Sequence, residues 1–468
     1  MSEHRIEKDT LGDVKVPATA LYGAQTERAR QNFPIGGGPI PAVVIRALGL
    51  IKAVGARVNH KLGLLDERIA TAVRQAAEEV AENRHDGEFV VDVFQTGSGT
   101  SSNMNANEVI ANRACQLLDE PLGSKAVHPN DHVNLGQSSN DVFPSAVQLG
   151  LALAVKERLL PAMRVLADGL HGLADRTFDE VKTGRTHLMD AMPIRYGQEF
   201  RGYASQVDRA IERVGHALDG VCELPLGGTA VGTGVNAHPR FAGEVCAILS
   251  DELGLPQLFE SRDHFQAQSS VDAIVHLAGA TKGFATALYK IANDVRWMAS
   301  GPQNGLAEVA IPAVQPGSSI MPGKVNPVIC ESVLMLCGQV LANDQAVAFG
   351  NSQGQFELNT MLPFIARNAV ESVEILAAGC RMFRERCLDG LSLTGAGAER
   401  VARNPVLATA LNAEIGYDAA AAIAKEAAKS GRTVREIAAE RTELESERLD
   451  ELLDPARMCG EAGRERDA

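Results

Sequence analysis

Proline is scarce through the middle of this chain, and that restricts its fold more than any other feature. Between residues 141 and 222 the three prolines are Pro144, Pro161 and Pro193, each near a plausible helix start, where a missing N–H is tolerated. Residues 268–299 contain none, and 327–347 and 360–385 read similarly. Runs of that length exceed the connecting helices of an α/β sheet, and no alternating strand pattern lies between them. Earlier in the chain, apolar residues recur at helical spacing, as in Val43, Val44, Ala47 and Leu48 and in Ile69, Ala72, Val73 and Ala76. Aromatics are only 4% of the residues, so the cores must be built from Ala, Leu and Val, which pack helix on helix. The reading is an all-α protein centred on an antiparallel bundle of long helices.

Residues 1 to about 40 are punctuated by Gly and Pro and end in Gly36-Gly-Gly-Pro-Ile-Pro41, which reads as an irregular arm. After about 390 the helical pieces shorten. The chain is accordingly divided into 1–138, 139–392 and 393–468. A formal charge of −14 argues against nucleic acid as a partner, because a phosphate backbone needs a basic surface. It permits a small anionic substrate in a locally positive pocket. No stretch approaches the ~20 apolar residues of a membrane span. The N-terminus lacks both an apolar signal core and an Arg/Ser-rich transit pattern. The eight cysteines form no C-x-x-C pair and none stands near a His at zinc-ligand spacing, so no metal site is expected. Scattered, reduced thiols point to the cytoplasm.

Three polar islands interrupt the helices. Gly317-Ser-Ser-Ile-Met-Pro-Gly-Lys-Val-Asn-Pro327 places two hydroxyls, a cation and an amide before an apolar helix. Asn326 is a good N-cap and Pro327 a good first helical residue, which would set a positive dipole end beside Lys324, an environment for anions. Composition alone fits a surface loop that caps a helix equally well. The second island, Lys182-Thr-Gly-Arg-Thr-His187, puts a histidine in a Gly-containing break between long helices. The third joins Thr96-Gly-Ser-Gly-Thr-Ser-Ser-Asn-Met-Asn105 to His128-Pro-Asn-Asp-His-Val-Asn-Leu-Gly-Gln-Ser-Ser-Asn-Asp141. Hydroxyls and amides this dense serve turns, and they are also what a site needs to hold carboxylates and a water.

Together these islands resemble the fumarase/aspartase superfamily over nearly the whole chain. The G-S-S-x-M-P-x-K-x-N-P string at 317–327 matches its signature, and Gly323 and Val325 resemble the class II fumarase branch. Gly227-Gly-Thr-Ala-Val-Gly-Thr-Gly234 and Ser138-Ser-Asn-Asp141 also look like fumarase, where aspartases tend to have G-A-T-A and S-T-N-D. The resemblance implies three helical domains, a homotetramer with a shared helical core, and active sites built from three chains. It implies reversible addition of water to fumarate giving L-malate, a step of the tricarboxylic acid cycle, with no cofactor and no metal.

Carried over residue by residue, the resemblance makes Ser318 the group that takes the proton beside the carboxylate. Lys324 and Asn326, with Val325 between them, would hold the aci-carboxylate. His187 would act on the departing or attacking water, with Glu331 of another subunit orienting it. Ser98, Thr100 and Asn140 would bind the water and hydroxyl end, alongside Gly99 and Ser138. Ser139, Thr186 and Ser319 would complete the carboxylate contacts. A second anion site would match His128, Pro129, Asn130 and Asp131, with Lys125 where some relatives carry Arg. One departure is Gly301-Pro-Gln-Asn-Gly-Leu-Ala-Glu308, where Gln303 replaces an Arg and Ala307 a Gly of the G-P-R-x-G-x-G-E pattern. The competing readings are an aspartate ammonia-lyase and a non-catalytic relative on the same scaffold. An iron–sulfur fumarase is disfavoured because no cysteine cluster is present.

Overall fold

Helices dominate, as the proline-poor runs require. The computed structural model describes residues 4–255 and 258–462. Contacts group them into two units, Met1–Pro161 with Glu212–Ala285 and Gly338–Ala377, and Ala162–Ile211 with Thr286–Cys337 and Ala378–Ala468. This grouping follows packing, whereas the three-part division expected above follows chain order.

The first unit begins with an antiparallel hairpin, β1 (His4–Asp9) and β2 (Gly12–Pro17), followed by α1 (Ala24–Asn32). The arm expected to be irregular is therefore partly regular. Its order rests on single side chains rather than periodicity. The Arg5 guanidinium donates to the carbonyls of Pro17 (2.9 Å), Ala20 (2.7 Å) and Tyr22 (2.8 Å). The buried Glu108 carboxylate accepts from Gly23, Gln25 and Thr26 N–H at 2.9–3.0 Å, capping α1 from a residue far along the chain.

Helices α2 (Ala42–Lys61) and α3 (Glu67–Ala81) bury the expected stripes. Val44, Ala47, Leu48, Val73 and Ala76 are fully enclosed, and Asp66 caps α3 through the Arg68 and Ile69 N–H groups. Helix α4 (Thr100–Leu117) starts inside the polar stretch expected to be loop, so Ser102, Asn103, Asn105 and Asn107 are buried helical residues. Glu79 of α3 pairs with Arg113 of α4 (2.6 Å) and His85 (2.8 Å), and these partners hold its carboxyl down at about 2 against an ordinary 4.5. A depressed carboxylate contributes stability above its unfolded value and loses it as the pH falls through the folded one. The midpoint of urea unfolding should therefore drop between about pH 4.5 and 2, and Glu79→Gln should flatten that part of the curve. An unchanged pH profile in the variant would show that the pair contributes nothing.

Helix α5 (Ser139–Ala154) runs into a π-helical turn, Val155–Leu159, and then α6 (Leu160–Arg176). Pro144 and Pro161 thus lie within helical segments rather than only at a helix start. Pro161 has no N–H for the ladder, and the widened turn just before it, closed by Leu160 N–H to Val155 O, takes up the irregularity. Pro193 is not at a helix start but in a strand. The stretch around Lys182–His187, read as a polar break between long helices, belongs to the hairpin β3 (Val181–Thr186) and β4 (Met189–Arg195). A two-stranded ribbon is all edge, so Pro193 costs no interior ladder bond.

The remaining long helices are α7 (Tyr196–Val221), α8 (Phe241–Leu253), the short α9 (His264–Ser269), α10 (Asp272–Met298), α11 (Val328–Asn351) and α12 (Leu362–Phe383). At 27 residues, α10 is about 40 Å long. The C-terminal segment packs its own core from Leu407, Leu411, Ile423, Ile437 and Leu449. Helix α11 corrects one expectation: by length and composition it is apolar enough to cross a membrane. It nonetheless carries Glu331, Asn343 and Asp344, the last paired with Lys282 at 2.7 Å, and only 39% of its apolar window is buried. All eight cysteines are free thiols, as expected.

Candidate functional site

In the first unit two helix starts are joined by a row of hydroxyls. Ser98 Oγ lies 2.7 Å from Thr100 Oγ1, which lies 2.8 Å from Ser139 Oγ. Thr100 opens α4 and Ser139 opens α5, so two positive dipole ends meet at this row. Gly99 must be glycine, because its φ is +74° and a Cβ there would lie 2.3 Å from the Phe143 ring. Ser138 caps α5 in a capping box with Asp141. The other oxygen of Asp141 accepts from Gly227 N–H (3.0 Å) and Thr229 N–H (2.9 Å), and Asn140 Nδ2 donates to Ala230 O (2.8 Å). The G-G-T-A segment is thereby locked onto S-S-N-D, two motifs that sequence reading linked only by resemblance.

His128 caps the short turn Pro129–Val133, its Nδ1 accepting from Asn130 N–H (3.3 Å) and Asp131 N–H (3.1 Å). The same Nδ1 lies 3.2 Å from the Asp131 carboxylate. His128, Pro129 and Asn130 line a cavity of about 380 Å³ with Lys125, Glu7 and Asp9. The Lys125 ammonium is tied to Lys8 O at 2.9 Å.

In the second unit, Thr186 and His187 sit at the tip of the β3–β4 hairpin. Thr186 pairs with Met189, leaving His187 and Leu188 as a two-residue turn with φ of 55° and 61°. A turn with both residues left-handed ordinarily takes Asn-Gly, so holding His-Leu there costs about 1–3 kcal/mol per residue. What holds it is a buried ion network along the hairpin, which sequence reading missed. Lys182 Nζ reaches Glu199 (2.6 Å) and Glu308 (3.0 Å), and Arg185 grips Glu308 with both terminal nitrogens (2.5 and 3.1 Å). Two cations balance two carboxylates, which is the condition for burying them. The two basic partners hold the Glu308 carboxyl below its usual range although burial opposes them. The available signal was the conjunction of Lys182, Arg185 and Glu308 inside two motifs already singled out.

The signature loop folds back on itself. Gly317 N–H donates to Lys324 O (2.9 Å), and Asn326 Nδ2 donates to Gly317 O (2.8 Å). A Cβ on Gly317 would lie 2.3 Å from the Lys324 carbonyl oxygen. Asn326 therefore closes the loop with its side chain, and α11 begins at Val328, one residue later than expected. Ser318 Oγ accepts from the N–H groups of Ile320 (3.2 Å) and Met321 (3.1 Å). Ser319 is exposed, as is Glu331 on the first turn of α11. Lys324, Val325 and Asn326 line a cavity of about 850 Å³ with Trp297, Pro302 and Ala307. Among the described residues no hydrogen bond or ion pair joins His187, Ser318 and Glu331.

The two departures fall in the loop bordering that cavity. Gln303 is exposed. Ala307 has φ +46°, a conformation suited to the glycine it replaces. Ala307→Gly is expected to raise stability by about 0.5–1 kcal/mol, read as a higher urea midpoint at unchanged slope. A lower midpoint would mean that the Ala307 methyl group contributes more than its strained backbone costs.

A family described as Lyase matches residues 12–342, and one described as Fumarase C C-terminus matches 407–460. The class II fumarate hydratase of Corynebacterium glutamicum is 49% identical over 463 residues, 98% of this chain and 97% of that one. The chain belongs to the class II fumarate hydratase family. Another member, from Chromobacterium violaceum, is 50% identical over 97% of this chain and 99% of its own. The crystal structure of a class II fumarase from Schistosoma mansoni superposes with a TM-score of 0.94 at 39% identity, covering 97% of this chain and 99% of that one. Membership of the class II fumarate hydratase family accounts for the mostly helical architecture.

Proposed function

We propose that this chain is a fumarate hydratase, interconverting fumarate and L-malate by general acid/base chemistry without a metal or cofactor. The observation that carries the reading is Ser318, whose Oγ already accepts two backbone N–H bonds at the head of the signature loop. A serine hydroxyl is a poor base, and donors aimed at its oxygen favour the alkoxide. Ser318 then removes the proton beside the malate carboxylate. The charge that develops on the aci-carboxylate is held by Lys324 and Asn326, with Ser319 and Val325 of the same loop beside them. His187, on its strained turn, gives a proton to the departing hydroxyl and takes one from water in the reverse direction, oriented by Glu331. Ser98, Thr100 and Asn140 hold that hydroxyl or water. Ser139 and Thr186 complete the carboxylate contacts, with Gly99 and Ser138 shaping the helix starts. His128, Pro129, Asn130 and Asp131 form a separate anion site.

The working form in this reading is a homotetramer in the cytoplasm, with each site assembled from three chains and the chain divided at about 138 and 392. Exposed apolar side chains support it. Leu188 and Met189 beside His187 are about 70% exposed, Ile320 beside Ser318 is 84% exposed, and Met335 and Phe349 of α11 are 70% and 57% exposed. Apolar groups crowded around polar catalytic residues favour burial against other copies.

The test is chelator-treated protein given L-malate, with fumarate followed by its ultraviolet absorbance and mass in solution measured in parallel. Rapid signal from malate is expected. Signal only from aspartate would move the chain to the ammonia-lyase reading, and a fully active monomer would end the shared-site reading.

A further inference from the structure

Thr229, in the middle of the G-G-T-A segment, has a backbone conformation that its side chain disfavours. Its φ is +54°, in the left-handed region, where a β-branched residue is an outlier. Such strain persists only where the surroundings over-determine it, and both backbone groups of Thr229 are held. Its N–H donates to the Asp141 carboxylate (2.9 Å), and its carbonyl accepts from Gln268 Nε2 (2.8 Å). Gln268 belongs to α9 and is completely enclosed. Its own carbonyl accepts from Asn359 N–H at 2.9 Å, so it is anchored independently of Thr229. One residue beyond Thr229, the Ala230 carbonyl accepts from Asn140 Nδ2 (2.8 Å). The Asn140 amide is thereby turned with its nitrogen toward Ala230 and its oxygen away from it.

We infer that Gln268 is a positioning residue that acts through Thr229 and Ala230, so that Asn140 meets the hydroxyl or water with its Oδ1, as an acceptor. A carbonyl can only accept, so Ala230 O takes the nitrogen end of the Asn140 amide and leaves the oxygen end for the site. That assignment suits the chemistry. A water that gives one hydrogen bond to Asn140 and its other proton to His187 keeps a lone pair for the fumarate carbon. In reverse, a malate hydroxyl that donates to Asn140 keeps a lone pair for the proton arriving from His187. The Gln268 bond is strong enough to decide the matter, because leaving a buried carbonyl unpaired costs about as much as one strained residue. Without the Gln268 amide, Thr229 is free to leave the left-handed region, and Ala230 O then no longer sets the Asn140 amide.

The role of Gln268 rests on the fumarase reading and is tested in the same assay. Gln268→Met, which fills similar space without a donor, should lower kcat for malate dehydration about 10- to 100-fold, the scale of misplacing a group by about 1 Å. KM should change by less than about threefold, because the carboxylate contacts lie on other residues. The deciding comparison adds Asn140→Ala. In that background Gln268→Met should cost nothing further, since no amide is left to orient, whereas a general loosening of the fold would lower activity in both backgrounds alike. Gln268→Leu repeats the test with a second shape. A further loss in the Asn140→Ala background, a raised KM with kcat intact, or unaltered kcat in the folded Gln268 variants overturns the inference. Failure of both variants to fold also overturns it, by making Gln268 a residue of the core alone. Wild-type protein that makes no fumarate from malate would instead refute the fumarase reading itself.

Discussion

Ser318→Ala is expected to lower kcat for malate dehydration by about 10³-fold or more, with the fold and assembly unchanged. The loss should be this large because no neighbouring hydroxyl shares the Ser318 environment. Its Oγ takes the N–H groups of Ile320 and Met321, whereas Ser319 is exposed. Losing the oxygen removes the base and leaves two donors aimed at nothing, so the defect should appear in kcat more than in KM. Ser319→Ala is the control, expected to raise KM about tenfold through one lost carboxylate contact. Stopped-flow and steady-state absorbance measurements of fumarate on verified oligomers would settle the comparison. Near-normal turnover in Ser318→Ala would transfer the proton-removing role to another group and would leave the two N–H bonds a mere turn.

Mixing two dead variants should restore activity. If the hydroxyl row of one copy works with the signature loop of another, Ser318→Ala and Thr100→Ala subunits, dissociated and reassembled together, should regain about a quarter of wild-type turnover. Random assortment places both wild-type contributions in roughly one site in four. Each parent treated the same way should stay inactive. The effect should vanish when both substitutions are placed on one chain and that double variant is reassembled with itself. A mixture no more active than the parents would mean that each chain builds its own site, and that the exposed apolar residues beside His187 and Ser318 serve another purpose. The structure makes the experiment worth doing because each unit carries one half of the proposed machinery in an ordered state. The hydroxyl row is already hydrogen bonded, and the signature loop is already closed by Asn326.

Long-range order of this fold was legible from proline placement and from stripes such as Val44–Leu48, because helix periodicity is a local property repeated many times. The chemistry was legible wherever it sits in a contiguous string. Ser318, Lys324 and Asn326 occur within nine residues, and their loop closes through bonds of Gly317 to Lys324 and Asn326. The two helix starts at Thr100 and Ser139 lay inside stretches that read as turn and loop composition, although a glycine precedes the first and a serine N-cap followed three residues later by an acid opens the second. Two details went astray for local reasons. The Asn326 side chain donates to Gly317 O and closes the loop, with α11 starting one residue later, and the polar run after Thr100 is helical with Asn103 bonded to Asn134 and Asn105 to the 88–90 backbone.

What lay beyond the sequence depended on groups that meet only in three dimensions. The N-terminal hairpin and α1 carry no periodic signal, and are held by Arg5 on carbonyls up to 17 residues away and by Glu108 on N–H groups more than 80 residues away. The β3–β4 hairpin hides a strained His-Leu turn in what read as a polar break between helices, because Arg185 finds its partner in Glu308, 123 residues later. Lys52 reads as an ordinary helix cation until Asn134, 82 residues later, meets its ammonium in the core. The sequence by itself determined the helical class, the family and the cast of reactive groups, since all three reside in local patterns. The tertiary structure decided which carboxylates are paired, which lysines are buried and where a histidine is held under strain, because burial and charge balance belong to assembled surroundings rather than to any segment.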